Sequence, residues 1–164
     1  MFTPTLALVL CLSAPSSLKI PNNDALYLPY SSNLESFTIK FWAKILYDNT
    51  NTYLVSDGAT WKWKRSGANY VIDFNGTVLQ TNVAVSFNTW DYYAISIYSE
   101  HDSGIGRVMA SKNSAVLLDA SSQVVSKFNS INGIYICYSC GFISDFLIVP
   151  AFADLDLGVE VFMK

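Results

Sequence analysis

The stretch "ATWKWKRSGANYVIDF", Ala59 to Phe74, sets Trp61 and Trp63 among Lys62, Lys64 and Arg65, three of the chain's ten basic residues. Indole faces stack on flat or ring-shaped ligands, and the cations pair with phosphate, sulfate or carboxylate. A nucleic-acid platform would need a broad basic field. The formal net charge of the 164-residue chain is −3, and no nucleic-acid-binding module is recognisable, so nucleic acid is excluded as the partner class. Strict alternation also matters. In an extended strand Trp61 and Trp63 share one face, and Lys62 and Lys64 share the other. Either the lysines face solvent over a tryptophan core, or the tryptophans face a partner.

Other chemistries have fewer residues to draw on. The single histidine, His101, lies in the loop "SEHDSGIG" beside Ser99, Asp102 and Ser103. A nucleophile–base triad is defined by geometry and not by adjacency, so this reads as a surface loop. Cys137 and Cys140 form "CYSC", too few ligands for a four-coordinate zinc site. Strand-like residues flank them on both sides, unlike a thioredoxin-type motif at a helix start. They read as a hairpin turn at Tyr138–Ser139, either oxidised to a disulfide in an extracellular setting or kept as two small apolar side chains. Asn75-Gly76-Thr77 is an N-glycosylation sequon in a turn-like setting.

The elements that position these residues are strands. Aromatics make up 15% of the chain and charged residues 14%, and no long helical period is present. "FTIKFWAKI" places Phe37, Ile39, Phe41, Ala43 and Ile45 on one face, and Thr38, Lys40, Trp42 and Lys44 on the other. That is a half-buried strand with one outward tryptophan. "TWKWKR" and "NYVIDF" read as a hairpin turning near Gly67. Further runs are "NTYLVS", "GTVLQT", "WDYYAISIYS", "RVMAS", "AVLLDA", "GIYICY", "CGFISDFLIV" and "DLDLGVEVFMK". Ten to twelve short strands at this spacing predict an all-β fold, a two-sheet antiparallel sandwich.

The order of segments resembles the laminin G-like branch of the concanavalin A-like lectin/glucanase superfamily. The resemblance rests on Asp24, Tyr27, Pro29, Ser32, Leu34, Phe37, Thr38, Phe41 and Trp42, then on "SFNTWDYYAISIY", then on Phe142, Ile143, Asp145, Phe146 and Ile148. It covers Ser17 to Lys164 and implies a jelly-roll sandwich over residues 17–164. One departure is "RVMASKNSAVLL", which lacks the glycine of the family's usual Asn-Gly or Asp-Gly turn. The superfamily includes glucanases, whose paired carboxylates lie ~5–5.5 Å apart on one strand as Glu-x-Asp-x-x-Glu. No such motif occurs here. The nearest carboxylates, Asp154, Asp156 and Glu160, have the wrong spacing, so the chain is expected not to be an enzyme. The resemblance leaves calcium open as the one cofactor, with Asp48, Asp57 and Asp102 as candidate ligands against their ordinary role in turns. Exposed aromatics stack on sugar rings, so Trp42, Trp61 and Trp63, with Lys62 and Lys64 beside them, are candidate ligand-binding residues, against a place in the sandwich core, favoured for Trp61 and Trp63, or at an interface.

Residues 1–16 stand apart in composition. Leu6 to Leu12 is an unbroken apolar run, too short for a transmembrane segment of ~20 residues. It reads either as a signal-peptide core followed by small residues, without Lys or Arg before it, or as a strand buried on both faces. Two functions compete. One is a secreted or cell-surface recognition domain for a glycan or protein ligand. The other is a structural subunit that forms a homo-oligomer or filament, with the apolar segment completing a neighbour's sheet.

Overall fold

A computed structural model describes residues 9–10, 17–29, 36–74, 76–98, 106–122 and 133–149. In chain order the strands are β1 (Val9–Leu10), β2 (Leu18–Lys19), β3 (Leu26–Leu28), β4 (Ser36–Ile45), β5 (Tyr53–Ser56), β6 (Trp61–Ser66) and β7 (Asn69–Phe74). They continue as β8 (Thr77–Ala84), β9 (Trp90–Tyr98), β10 (Gly106–Lys112), β11 (Ala115–Ser122), β12 (Ile134–Tyr138) and β13 (Gly141–Val149). No helix occurs among the described residues. A seven-stranded sheet has the order β1-β13-β4-β9-β10-β11, with β2 also on β13. A six-stranded sheet has the order β3-β12-β5-β6-β7-β8. Every strand pair is antiparallel. The all-β, two-sheet jelly-roll sandwich expected from the sequence is the fold.

Alternation puts one apolar set of each strand between the sheets. From β4 these are Phe37, Ile39, Phe41, Ala43 and Ile45, the face read from the sequence. From β6 and β7 they are Trp61, Trp63, Tyr70, Ile72 and Phe74. Aromatic rings knit the two layers. Phe37 and Trp61 lie 6.0 Å apart across the sandwich, and Tyr93 of β9 meets Trp63 and Tyr70 edge-on at 5.9 and 6.1 Å. Edge-on geometry suits the ring quadrupoles. Burial pushes the Tyr70 and Tyr93 hydroxyls far above their usual range, so both stay neutral.

Local chemistry sets the register. The β6–β7 hairpin closes through Gly67 and Ala68, with Gly67 at φ +62°, the glycine-first pattern of a II′ turn. Asn113 and Ser114 join β10 to β11 with φ of +52° and +66°. Ser114 thus takes a left-handed conformation that glycine adopts more readily. Asn113 offsets this strain by accepting from the Tyr92 N–H at 2.8 Å and donating to Asp91 at 2.8 Å. Asp91 is 4% exposed, and the Lys112 ammonium stands 3.1 Å from it. Lys112 also donates to the carbonyl of Ala84 at the end of β8, so one half-buried cation ties the two sheets together.

One feature differs from the sequence reading. In β9 both faces are buried from Asp91 to Ile97, where alternation predicts one. The outer residues cover one another: Trp42 leans on Tyr92, Thr38 and Ser96 share a hydrogen bond of 2.9 Å, and Tyr92, Ala94 and Met109 form a second small cluster. The apolar segment of residues 1–16 contributes the short strand β1, which pairs with β13 of its own chain. The β2 pairing continues along the same edge. The end strand expected from "DLDLGVEVFMK" lies outside the described residues.

The core makes a quantitative demand. Trp63→Ala should cost about 3–5 kcal/mol in urea unfolding followed by near-UV circular dichroism. Lys62→Ala, one residue away on the other face, should change stability by less than about 0.5 kcal/mol. Similar losses in both variants would contradict the inside–outside assignment of β6.

Candidate functional site

The outer face of the six-stranded sheet is built by the same pleat that fills its core. Trp61 and Trp63 are 1% and 0% exposed, so the reading in which these tryptophans face a ligand is corrected. Lys62 and Lys64 alternate with them and point outward. Strand register then lays out two cross-sheet rows. One runs Tyr27, Tyr135, Ser56, Lys62, Asp73, Val78, and the next runs Tyr138, Tyr53, Lys64, Val71, Gln80.

The polar groups in these rows have distinct tasks. Asp73 lies opposite Lys62 in register but bonds the Lys64 ammonium diagonally at 2.6 Å, and it also accepts the Gly76 N–H at 2.7 Å. The Lys64 hydrogen bond, foremost, holds the Asp73 carboxyl below the usual carboxylate range. Lys64 is thereby committed. Arg65 is committed too: its guanidinium pairs with Asp48 at 2.5 Å and lies over the Phe87 ring at 5.3 Å. Lys62 has no carboxylate partner among the described residues. Its ammonium sits 5.9 Å from the centre of the Tyr53 ring, a cation–π contact that leaves its hydrogen-bond donors open.

Tyrosines supply flat surface beside that cation. Tyr53 and Tyr138 stack at 5.1 Å with an interplanar angle of 12°. Burial, helped by Tyr135 and Tyr138, pushes the Tyr53 hydroxyl up to about 12, so it remains a neutral donor. A second pair, Tyr27 and Tyr135, packs at 4.8 Å. Gly58 lets the Tyr135 ring lie on the backbone, since a Cβ there would stand 2.7 Å from the ring. An open groove of about 660 Å³ follows, lined by Tyr53, Tyr138, Lys62, Lys64, Asp73 and the turn residue Thr60.

Tyr138 is placed by its turn. Cys137 and Cys140 are joined by a disulfide that brackets Tyr138 and Ser139. Cys137 and Ser139 adopt left-handed φ of +60° and +53°, which neither side chain favours unaided. Ser139 is held from outside: its hydroxyl accepts from the Asn23 N–H at 2.8 Å and bonds Asn49 at 3.1 Å, and its own N–H donates to the Asp24 carbonyl at 2.9 Å.

The remaining candidates are dispersed. Asp57 accepts the N–H groups of Ala59, Thr60 and Trp61 at 2.8–3.0 Å, the turn-forming role, and Asp48 serves Arg65. Asp102, His101 and the sequon residue Asn75 lie outside the described residues. Among the described residues no three His, Cys, Asp or Glu side chains group as a metal site would need, so Asp48 and Asp57 are not brought together as ligands. Trp42 is 38% exposed, as its strand predicted, but on the opposite sheet from Lys62. Sequence reasoning missed Tyr53 and Tyr138. The signal was present in "CYSC", where a closed turn must display the residue between its cysteines.

No protein-family model matches the chain, and no curated protein does. Solved structures do. Domain 4 of AbnA, a GH43 extracellular arabinanase from Geobacillus stearothermophilus in complex with arabinotriose, matches with a TM-score of 0.65 at 11% identity, over 92% of this chain and 78% of that one. The binding domain of botulinum neurotoxin DC, in complex with rat synaptotagmin II, matches with a TM-score of 0.64 at 15% identity over 92% of this chain. The chain spans only 44% of that domain. An alginate lyase, Aly36B, in complex with an alginate trisaccharide, matches with a TM-score of 0.50 at 11% identity, over 84% of this chain and 81% of that one. At such identities the likeness shows the fold alone. It supports a jelly-roll sandwich and does not single out the laminin G-like branch.

The disulfide's role in holding Tyr138 can be measured. Closing so short a loop is worth about 2 kcal/mol in the chain-entropy account. The Cys137→Ser, Cys140→Ser double variant should melt lower and lose tyrosine signal in near-UV circular dichroism while keeping its far-UV spectrum. An unchanged near-UV spectrum would show that Tyr138 is held without the disulfide.

Proposed function

We propose that the chain is a non-catalytic extracellular recognition domain of the laminin G-like kind, and that it binds a glycan carrying an acid group across the outer face of its six-stranded sheet. The observation that carries this reading is Lys62. Its ammonium is held over Tyr53 without a described carboxylate partner, beside the stacked ring of Tyr138. A sugar ring presents an apolar C–H face to a tyrosine and an acid group to a cation, and the groove offers both at adjacent positions. Asp73 supports the arrangement by occupying Lys64.

Several facts favour binding over turnover. Asp73 is the one carboxylate among the groove's described lining residues, and its oxygens are engaged by Lys64 and Gly76. Acid–base cleavage of a glycosidic bond takes two carboxyl groups flanking it. The Cys137–Cys140 disulfide and the Asn75 sequon fit a secreted or cell-surface setting. Among the proteins of similar fold, one is an extracellular arabinanase domain in complex with arabinotriose, and another is a binding domain in complex with a protein.

A glycan array carrying oligogalacturonate, oligomannuronate and sulfated oligosaccharides beside neutral ones tests this reading. An acid-bearing glycan should bind, and Lys62→Gln and Tyr138→Ala should each weaken it about 10–100-fold. EDTA should leave binding unchanged, because no metal enters the groove chemistry. Affinity should stay flat between about pH 5 and pH 9: Tyr53 keeps its proton until about 12, and the lowered Asp73 keeps its charge. Binding that is indifferent to both substitutions would remove the groove from the account.

A further inference from the structure

The seven-stranded sheet carries an aromatic hollow on its own outer face, on the far side of the sandwich from Lys62. Trp42 of β4 and Trp90 of β9 are each 38% exposed, and they sit diagonally across the β4–β9 ladder, where Trp42 faces Tyr92 and Trp90 faces Lys44. Each indole is held from one side. Tyr92 packs on Trp42 at 5.3 Å, and Phe142 packs on Trp90 at 6.4 Å. The buried tryptophans fill the core, but these two keep surface open to solvent in a position fixed by neighbouring rings.

Polar groups converge on the same place. The hollow has a volume of about 380 Å³ and is lined by Trp42, Trp90, Ser17, Ser144 and Asp145. Asp145 sits in the bulge of β13, where the register with β4 shifts between Ser144 and Leu147, and its φ is +49°. The bulge turns an aspartate out at the mouth of an aromatic site, a place where bulges commonly re-aim side chains. Asp145 is exposed, no described residue bonds its carboxylate, and it is the one charged side chain among the described lining residues.

We propose that this hollow is a second saccharide site, selective for an uncharged sugar ring. Two indoles take the apolar faces of the ring, the Asp145 carboxylate accepts from neighbouring sugar hydroxyls, and Ser17 and Ser144 supply small polar partners. A few convergent polar groups in a mainly aromatic concavity of this size match a small-ligand site. A protein partner fits less well, since a stable interface needs about 800 Å² from each side and the five residues lining this hollow present far less. The charge discriminates the ligand. Asp145 repels an acid-bearing sugar, whereas Lys62 on the opposite sheet attracts one. Where both sites are filled, one domain holds two glycan chains on opposite faces, and polymeric ligands bound this way gain avidity.

Binding of immobilised cellohexaose, xylohexaose, mannohexaose and arabinohexaose tests the proposal. At least one should bind the full chain. Trp42→Ala and Trp90→Ala should each weaken it at least tenfold, and Asp145→Asn severalfold, while Lys62→Gln leaves it unchanged. The same free oligosaccharide should shield tryptophan emission from acrylamide, because Trp61 and Trp63 are already buried. Asp145→Asn, an exposed change, guards against loss of binding through unfolding of a tryptophan variant. Failure of all four sugars to bind would leave this face to a protein partner and overturn the proposal. So would binding indifferent to Trp42→Ala and Trp90→Ala, or lost equally with Lys62→Gln. Loss of the acid-glycan site alone would leave this one standing.

Discussion

The pleat of β6 is the constraint on which both the core and the groove depend. A strand of period two cannot turn Trp61 and Trp63 inward without turning Lys62 and Lys64 outward. The two tryptophans are among the largest fully buried side chains, and they meet Phe37, Phe74, Tyr70 and Tyr93. A one-residue slip would bring two ammonium groups into that aromatic layer, at a desolvation cost of several kcal/mol each. Register is therefore locked by the core, and the positions of the lysines follow from it. The surface inherits its precision from the interior.

Position along the strand then separates the two lysines chemically. Asp73 could reach either, being opposite Lys62 and diagonal to Lys64. It bonds Lys64, while Tyr53 from β5 supports the Lys62 ammonium by its ring face. A ring quadrupole attracts a cation without occupying its N–H donors, whereas a carboxylate occupies them. Two like residues on one strand thus end with unlike availability. The difference arises from what β5 and β7 place beside them and not from β6 itself.

Much of the fold was legible because it rests on local patterns. Alternation in "FTIKFWAKI" assigned every inward residue of β4, and "RSGAN" announced the β6–β7 turn. Sheet order was not legible, since the pairing of β12 with β3 and β5 depends on contacts far apart in sequence. The site was half legible for the same reason. Lys62 and Lys64 declared themselves by alternation, and Trp42 by standing out on a polar face. Tyr53 and Tyr138 did not, because a stacked pair exists only when β5 and β12 lie side by side. Trp90 entered only as the first residue of "WDYYAISIYS", and its exposure depends on β4 and β13 standing next to it.

The two outer faces also show how a weakly charged sandwich can present distinct chemistries. Only 14% of residues are charged, so a single unengaged ion dominates its neighbourhood. In the groove of the six-stranded sheet that ion is Lys62, and among the residues lining the hollow of the seven-stranded sheet it is Asp145. Each stands beside exposed aromatic rings, and the sandwich interior keeps the two fields apart. Each charge is also placed by a feature other than the charge itself, Lys62 by the pleat and Asp145 by a bulge with φ of +49°. A regular β13 without that bulge would keep Asp145 in simple alternation with Ser144 and Phe146. The irregular backbone therefore has a direct consequence: it sets a carboxylate at the rim of an aromatic hollow that strand periodicity alone would not have placed there.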